Sequence, residues 1–276
     1  MTRKRTPTQG LLVSDVVDAM ERIAPPHLAE EWDNCGLQVG GLGWPVRKVW
    51  VSLDPHPAVI QAAIDHQVDL LVTHHPLIFG PLHRIDVDVP VGGIVSAALN
   101  ARMAIYAAHT SLDRARYGVN AELSRRVELS DVRPLVAAPA TDPDSGLGRI
   151  GKLATPMPLD RFAEKLKVIF QSQWLKISGD PQMMIQRVAL CSGSGSSLLD
   201  DFFASDAEVF VSGDLRYHDA RTAEDMGRAL IDLGHFASER IMIDAVAGQL
   251  QKQARSDHWT VTIEPCHMEQ DPFRYI

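Results

Sequence analysis

The chain has 276 residues, of which 45% are hydrophobic and 22% charged, as is typical of a soluble globular protein with room for one or two domains. Its formal net charge of -8 and its pI near 5.7 argue against a general nucleic-acid-binding protein. The three cysteines lie far apart and form no Cys-x-x-Cys pair, so neither a disulfide framework nor a thiolate zinc site is expected. The basic residues 2–7 are not followed by a signal peptide, and no apolar run reaches the roughly 18 residues of a transmembrane helix. We therefore expect a cytoplasmic protein.

The first half of the chain alternates between predicted helices and strands. Ser14 is a suitable N-cap for an amphipathic helix that Pro25 and Pro26 end. The polar block at residues 31–40 resembles a turn. Beyond it, strands are predicted at residues 49–53, 69–73 and 103–108, and helices at 57–66, 91–100 and 120–127.

A domain boundary is expected near residues 134–148, where Ala, Pro, Asp and Gly cluster without hydrophobic periodicity. The alternation then resumes, with strands at 151–154, 174–177, 187–191, 208–211, 229–233 and 261–264 and helices at 159–170, 197–204, 218–226 and 238–253. Nearly continuous apolar strands between helices predict an α/β fold with mainly parallel or mixed sheets covered by helices.

Three short blocks of metal-ligating residue types each follow a predicted strand. They contain His74 and His75, then His109 and Asp113, then His235 and Glu239. In open α/β sheets, ligands bind beyond the carboxyl ends of the strands, where loops converge. A spacing of four residues also places His235 and Glu239 on one face of a helix.

Imidazole and carboxylate ligands together suit Zn, Mn, Fe, Co or Ni, and six ligands suffice for two divalent ions. Two ions about 3.5–4 Å apart would clamp a substrate oxygen and activate a bridging water. Each block by itself is weak, because a lone histidine at a strand end is usually an ordinary polar group. Three such blocks in one chain favour a metal site. His218 is a further candidate, either as a proton shuttle or phosphate contact or as a plain surface histidine.

The segments LLVTHHPLIFGP (70–81), AAHTSLD (107–113) and GHFASE (234–239) resemble the signature blocks of the Nif-three-like proteins, also called GTP cyclohydrolase type-two homologues. The blocks at residues 32–37, 148–151 and 212–214 are similar to that family as well. The resemblance implies two α/β domains with a dinuclear metal cleft between them, here residues 1–133 plus 234–276 and residues 134–233. It implies a homohexamer. It also implies that His74, His75, Asp113, His235 and Glu239 are metal ligands, with His109 as a sixth ligand or a supporting partner.

Two classes of function remain open at this stage. The first is a metal-dependent hydrolase that attacks a phosphate ester or a C–N bond of a nucleotide-like ring, with Glu239 or His218 handling protons. The second is a metal-binding scaffold, regulator or trafficking protein without catalysis. The expected partners are further copies of the chain and a small phosphate-containing or nucleotide ligand; a membrane partner is not expected.

Overall fold

The computed structural model describes residues 10–138 and 142–274. The basic residues 2–7 and the middle of the expected boundary segment, residues 139–141, lie outside the described residues. The predicted fold class is confirmed: the chain is a mixed α/β protein with two mixed sheets covered by helices. In the described part of the chain, no helix has both the length and the apolar content needed to cross a bilayer.

The polypeptide divides into two compact units. Unit 1 comprises the described residues up to Ser111 together with Ile243–Glu269, and unit 2 comprises Leu112–Met242 and the residues from Gln270 onward. The division into domains expected from the sequence, residues 1–133 plus 234–276 and residues 134–233, stays a prediction.

In the described residues the helices are α1 (Val13–Ile23), α2 (Pro57–Asp65), α3 (Pro90–Asn100), α4 (Thr110–Arg114), α5 (Val119–Arg126), α6 (Leu159–Phe170), α7 (Leu199–Ala204), α8 (Tyr217–Asp225), α9 (His235–Glu239) and α10 (Ile241–Ser256). The strands are β1 (Gly36–Val39), β2 (Lys48–Ser52), β3 (Leu70–Thr73), β4 (Ala104–Ala107), β5 (Ser130–Ala137), β6 (Gly146–Pro158), β7 (Lys176–Ser178), β8 (Met184–Ser194), β9 (Val209–Gly213), β10 (Ala229–Asp232) and β11 (Thr262–Pro265).

Unit 1 is built on a five-stranded sheet of order β1-β4-β3-β2-β11. Strands β2, β3 and β4 run parallel and follow one another through the helices α2 and α3, as parallel neighbours require. Every residue of β3 and β4 is buried, which explains their continuous apolar sequences. The register pairs Ser52 with Thr73 and Thr73 with Ala107, so the carboxyl ends of the three strands are level.

Unit 2 is built on a six-stranded sheet of order β5-β6-β8-β9-β10-β7. Strands β8, β9 and β10 are parallel, and the other pairs are antiparallel. Asp232 at the end of β10 pairs with Ser212 in β9, and Gly213 pairs with Ser194 in β8. The carboxyl ends of these three strands therefore form one edge, as they do in unit 1.

Three elements differ from the sequence expectations. Residues 36–39 form the edge strand β1 rather than a turn, paired antiparallel with β4. The segment expected to be a domain boundary, residues 134–148, contains the second half of β5, and Pro134 is tolerated there because β5 lies at the edge of its sheet. The single closing helix expected at residues 238–253 is two helices, α9 and α10, separated at Arg240.

Candidate metal-binding side chains

Unit 1 brings three histidines together at the level carboxyl ends of β3 and β4. One ligand atom from each of His74, His75 and His109 lies within 4.8 Å of the others. The backbone amides of His74 and His75 both donate to the carbonyl of Leu53, at 3.1 and 3.0 Å. This shared acceptor turns the chain sharply after β3, and the two neighbouring imidazole rings lie with their centroids 5.0 Å apart instead of diverging.

Each of these imidazoles is held through Nδ1 by an oxygen that can only accept. Nδ1 of the fully buried His74 lies 2.9 Å from the carbonyl oxygen of Ala108. Nδ1 of His75 lies 2.7 Å from the carboxylate of Asp54, and Nδ1 of His109 lies 3.0 Å from a carboxylate oxygen of Asp33. Since those oxygens are acceptors, Nδ1 carries the proton in each ring, and the lone pair of the neutral imidazole is on Nε2.

Asp33, which holds His109, accepts hydrogen bonds from other groups as well. Its side chain is fully shielded from solvent and accepts from the backbone amide of Thr110 at 3.0 Å, from the Thr110 hydroxyl and from Nδ1 of His109. Burial alone would raise the pKa of Asp33, but the hydrogen bonds from His109, Thr110 and Cys35 outweigh it and hold that pKa well below its usual range. Asp33 is therefore a carboxylate at any ordinary pH.

Glu269 anchors the segment that contains Asp54, the carboxylate that holds His75. Glu269 accepts hydrogen bonds from the backbone amides of Leu53 and Asp54, at 2.8 and 2.6 Å. Burial raises the pKa of Glu269, and the two amides partly offset that effect. Glu269 thereby fixes the segment whose carbonyl and carboxylate hold His74 and His75.

Unit 2 carries the other three predicted ligands. Nε2 of His235 lies 2.9 Å from a carboxylate oxygen of Glu239, and its Nδ1 lies 2.8 Å from Asp214. A carboxylate oxygen of Asp113 lies within 4.8 Å of one from Glu239. The hydrogen bond with Glu239 raises the pKa of His235 to about 9 against the opposing effect of burial, and Asp214 adds to the rise. In the absence of a metal ion, a proton thus occupies the position between His235 and Glu239.

A glycine makes room for the Glu239 carboxylate. A Cβ atom at Gly193 would lie 2.0 Å from Oε1 of Glu239 and 3.3 Å from Nε2 of His235, and Gly193 has a φ of +62°. Its amide donates to Ser238 Oγ at 2.9 Å, so the loop after β8 is tied to α9. Both the space and the backbone conformation require glycine at this position.

His218 lies apart from these contacts. It is exposed on α8, with its ring 5.3 Å from that of Tyr217 and its carbonyl accepting from the Thr222 hydroxyl. Its role in proton transfer stays a prediction.

Sequence reasoning did not find Asp54 or Glu269. It placed Asp33 and Asp214 in the family-like blocks 32–37 and 212–214 without pairing either with a histidine. The available signal was position: Asp54 and Asp214 each follow a strand, β2 and β9, at the sheet edges that carry the histidines.

Comparison with known proteins shows a family match over most of the chain. The family model for Duf34/NIF3 (NGG1p interacting factor 3) matches residues 11–272. A Streptomyces coelicolor protein named "GTP cyclohydrolase 1 type 2 homolog" is 32% identical over 270 residues, covering 95% of this chain and 93% of that protein. A Streptococcus pneumoniae protein of the same name is 30% identical over 270 residues, covering 96% and 100%. The crystal structure of a Bacillus cereus protein related to NIF3 superposes with a TM-score of 0.91 at 24% identity, covering 98% of this chain and 100% of that one, and agrees with the fold.

Proposed function

This chain belongs to the Duf34/NIF3 family, and on that premise we propose that it is a dinuclear metal protein acting as a metal-dependent hydrolase on a nucleotide-like or phosphate-containing substrate. The observation that carries the proposal is the common arrangement of the four candidate histidines. Each has Nδ1 held by an oxygen acceptor within 3.0 Å. Metal-binding histidines in proteins are usually oriented in this way, with Nε2 left for the ion.

The donor chemistry of both sets fits divalent ions. His74, His75 and His109 supply three neutral imidazoles, a set that zinc and similar ions favour. His235 and Glu239 sit together with Asp113, and two carboxylates within 4.8 Å of each other repel unless a cation lies near them. Protonation of His235 supplies one positive charge in the metal-free protein, and a divalent ion would supply two.

We propose that the two sets belong to one centre that holds two ions. The sequence supports this pairing, since His109 and Asp113 are only four residues apart and flank the point where unit 1 gives way to unit 2. A cleft between the units, homohexameric assembly and a cytoplasmic location stay predictions of the sequence resemblance.

The residues of the chain have separable roles in this proposal. Bound divalent ions would supply Lewis-acid activation of water and of a phosphate or ring carbon. The supporting oxygens hold the four imidazoles in fixed orientations, and loading requires the proton between His235 and Glu239 to leave. Glu239 lies within hydrogen-bonding distance of His235 and can exchange a proton there, and His218 is the second proton-handling candidate.

The test uses the purified protein loaded with Mn, Fe or Zn. Metal content is measured by elemental analysis, and turnover is measured with GTP, phosphodiesters and phosphomonoesters. His75→Ala and Glu239→Ala each remove one proposed ligand. His267→Ala is the matched control, because His267 is an exposed histidine bonded to Asp244 at 3.0 Å.

We expect turnover above that of free metal in the parent and in the control, with loss of both metal and turnover in His75→Ala and Glu239→Ala. Retention of full metal content in those two variants would refute the ligand assignment. Full metal loading without turnover of any of these substrates would refute the hydrolase part alone and favour a binding role.

A further inference from the structure

Two large aromatic side chains stand exposed beside the unit 1 histidines. Trp32 is 63% exposed and Phe79 is 57% exposed. Their ring centroids lie 6.0 and 5.9 Å from that of His109, with the planes at 74° and 83° to the imidazole. The two rings thus meet the His109 ring edge-on, and most of their remaining surface faces solvent.

The segment that carries Trp32 is held firmly on both sides. The amide of Glu30 donates to the Thr110 hydroxyl at 2.9 Å, and the amide of Asp33 donates to the carbonyl of Glu30 at 3.0 Å. The Asp33 carboxylate is bonded to His109 and Thr110, as described above. Trp32 therefore lies within a turn that is tied to Thr110, the first residue of α4, and to His109, which directly precedes that helix.

The segment before Phe79 is held by side-chain amides. Asn34 Nδ2 donates to the carbonyl of Ile78 at 2.6 Å, and the amide of Ile78 donates to Gln38 Oε1 at 3.2 Å. Gln38 Nε2 in turn donates to the carbonyl of Asn34 at 2.7 Å. The backbone amide and carbonyl of Ile78, the residue before Phe79, are thus both fixed by side chains that follow Trp32 in the chain, Asn34 in the loop and Gln38 in β1.

Exposed aromatic rings on fixed backbone are suited to stacking on a flat ligand. Most of the surface of each ring remains in water, so hydration is lost only when a partner covers the rings. Stacking on aromatic side chains stabilises the binding of flat heteroaromatic rings. In nucleic-acid-binding proteins, alanine substitution of the aromatic residue costs about 1–3 kcal/mol of binding free energy per base. An aliphatic or purely phosphate ligand would leave the ring faces unused.

We propose that Trp32 and Phe79 form a stacking subsite for a planar heteroaromatic ring of the nucleobase class, carried by the ligand that reaches the ions held by the histidines. This inference rests on the proposed function, because it places the ring beside His109, one of the proposed ligands. It narrows the substrate class from phosphate compounds in general to those with a flat nitrogen heterocycle.

The test measures binding by isothermal titration calorimetry to metal-loaded and to metal-free protein. The probes are guanosine, adenosine and cytidine 5′-monophosphates, with ribose 5-phosphate as the probe that lacks a ring. The variants are Trp32→Leu and Phe79→Leu, with Trp32→Phe as the conservative variant. Phe273→Leu is the matched control, since it removes a 71% exposed phenyl ring from the C-terminal segment of the chain.

We expect at least one nucleotide to bind more tightly than ribose 5-phosphate. Trp32→Leu and Phe79→Leu should each weaken that binding about 5- to 150-fold, which is the stacking free energy expressed as a ratio. Trp32→Phe should restore part of the loss, and Phe273→Leu should have no effect. The metal content, the melting temperature and the affinity for ribose 5-phosphate should be the same in every variant.

Three outcomes of the binding experiments, and one of sedimentation, would overturn the inference while leaving the metal proposal intact. The three binding outcomes are equal binding of nucleotides and ribose 5-phosphate to fully loaded protein, no detectable nucleotide binding at millimolar concentration, and unchanged nucleotide affinity in both leucine variants. If the leucine variants change the sedimentation of the protein but not its affinity for nucleotides, the two rings belong to a contact between copies of the chain. That result also overturns the inference. Failure of the parent to retain metal would refute the proposed function instead, and the metal-free titration would then decide the stacking subsite separately.

Discussion

Replacing Asp33 tests whether its carboxylate supports His109 or only the fold. In Asp33→Ala, the Thr110 amide, the Thr110 hydroxyl and Nδ1 of His109 lose their acceptor; the hydroxyl can turn to another acceptor, so two donors are left unsatisfied. An unsatisfied buried donor costs about 1–3 kcal/mol, so the free energy of unfolding should fall by about 2–6 kcal/mol. Asp33→Asn keeps one acceptor oxygen and should lose about 1–3 kcal/mol. Loss of the support should also lower metal affinity about 10- to 100-fold in both variants.

The assay combines urea denaturation of the metal-free variants with metal titration against a chromophoric chelator. Asp69→Ala is the matched control, because Asp69 also accepts two backbone amides, those of Arg47 and Lys48, at 2.7 and 3.0 Å. It should lose stability and keep its metal affinity. The reasoning is refuted if the Asp33 variants bind metal as tightly as the parent, or if the Asp69 control loses as much affinity as they do.

Three further outcomes follow from the same geometry. Gly193→Ala should displace the Glu239 carboxylate and lower metal affinity at least tenfold, as measured by chelator titration. The control is Gly227→Ala, because Gly227 has nearly the same φ, +64°, and open space around it. This control should lower only the free energy of unfolding, by about 1 kcal/mol. Because the pKa of His235 is raised to about 9, metal must displace its proton, so affinity measured from pH 6 to 9 should rise by about tenfold per pH unit. Metal-free protein should instead lose stability as pH rises from about 6.5 towards 9, and a flat profile in both measurements would contradict the assignment. In Glu269→Gln one side-chain oxygen becomes an NH2 group that faces the backbone amide of Leu53 or Asp54, while the other oxygen still accepts. The melting temperature and the metal affinity should both fall, and unchanged affinity would leave Glu269 a purely structural role.

The strands that lead to the candidate ligands could be predicted, because their sequences are typical of buried parallel strands. Fully buried parallel strands read as short apolar runs, and the histidines follow directly where the runs end. The structure has β3 and β4 within one residue of the predicted limits, and β10 ends one residue early. The identity of the ligands as metal-binding residues stays a prediction.

The elements that sequence did not reveal depend on pairing rather than on local pattern. Strand β1 is short and only partly buried, and it exists because the neighbouring β4 offers an edge for antiparallel pairing. Strand β5 contains Pro134, which locally indicates a loop and is compatible with a strand only at a sheet edge. Neither condition can be read from a window of adjacent residues.

The supporting carboxylates escaped prediction for a similar reason. Asp33 is 76 residues from His109 in the chain, and Asp54 is 21 residues from His75. A single aspartate after a strand has no distinctive pattern, and its partner is decided by which strands lie side by side. Asp54 follows β2 and Asp33 precedes β1, and neither position in the sequence indicates which imidazole the carboxylate holds.

The oxygen acceptors that hold the four histidines differ in whether a mutation can replace them. His75, His109 and His235 are held by aspartates, so a single codon change can alter how strongly each imidazole donates electron density. His74 is held by the main-chain oxygen of residue 108, which persists whatever amino acid is encoded there. In the proposed metal-binding role, selection can therefore tune three of these histidines one at a time, while the acceptor that holds His74 stays the same.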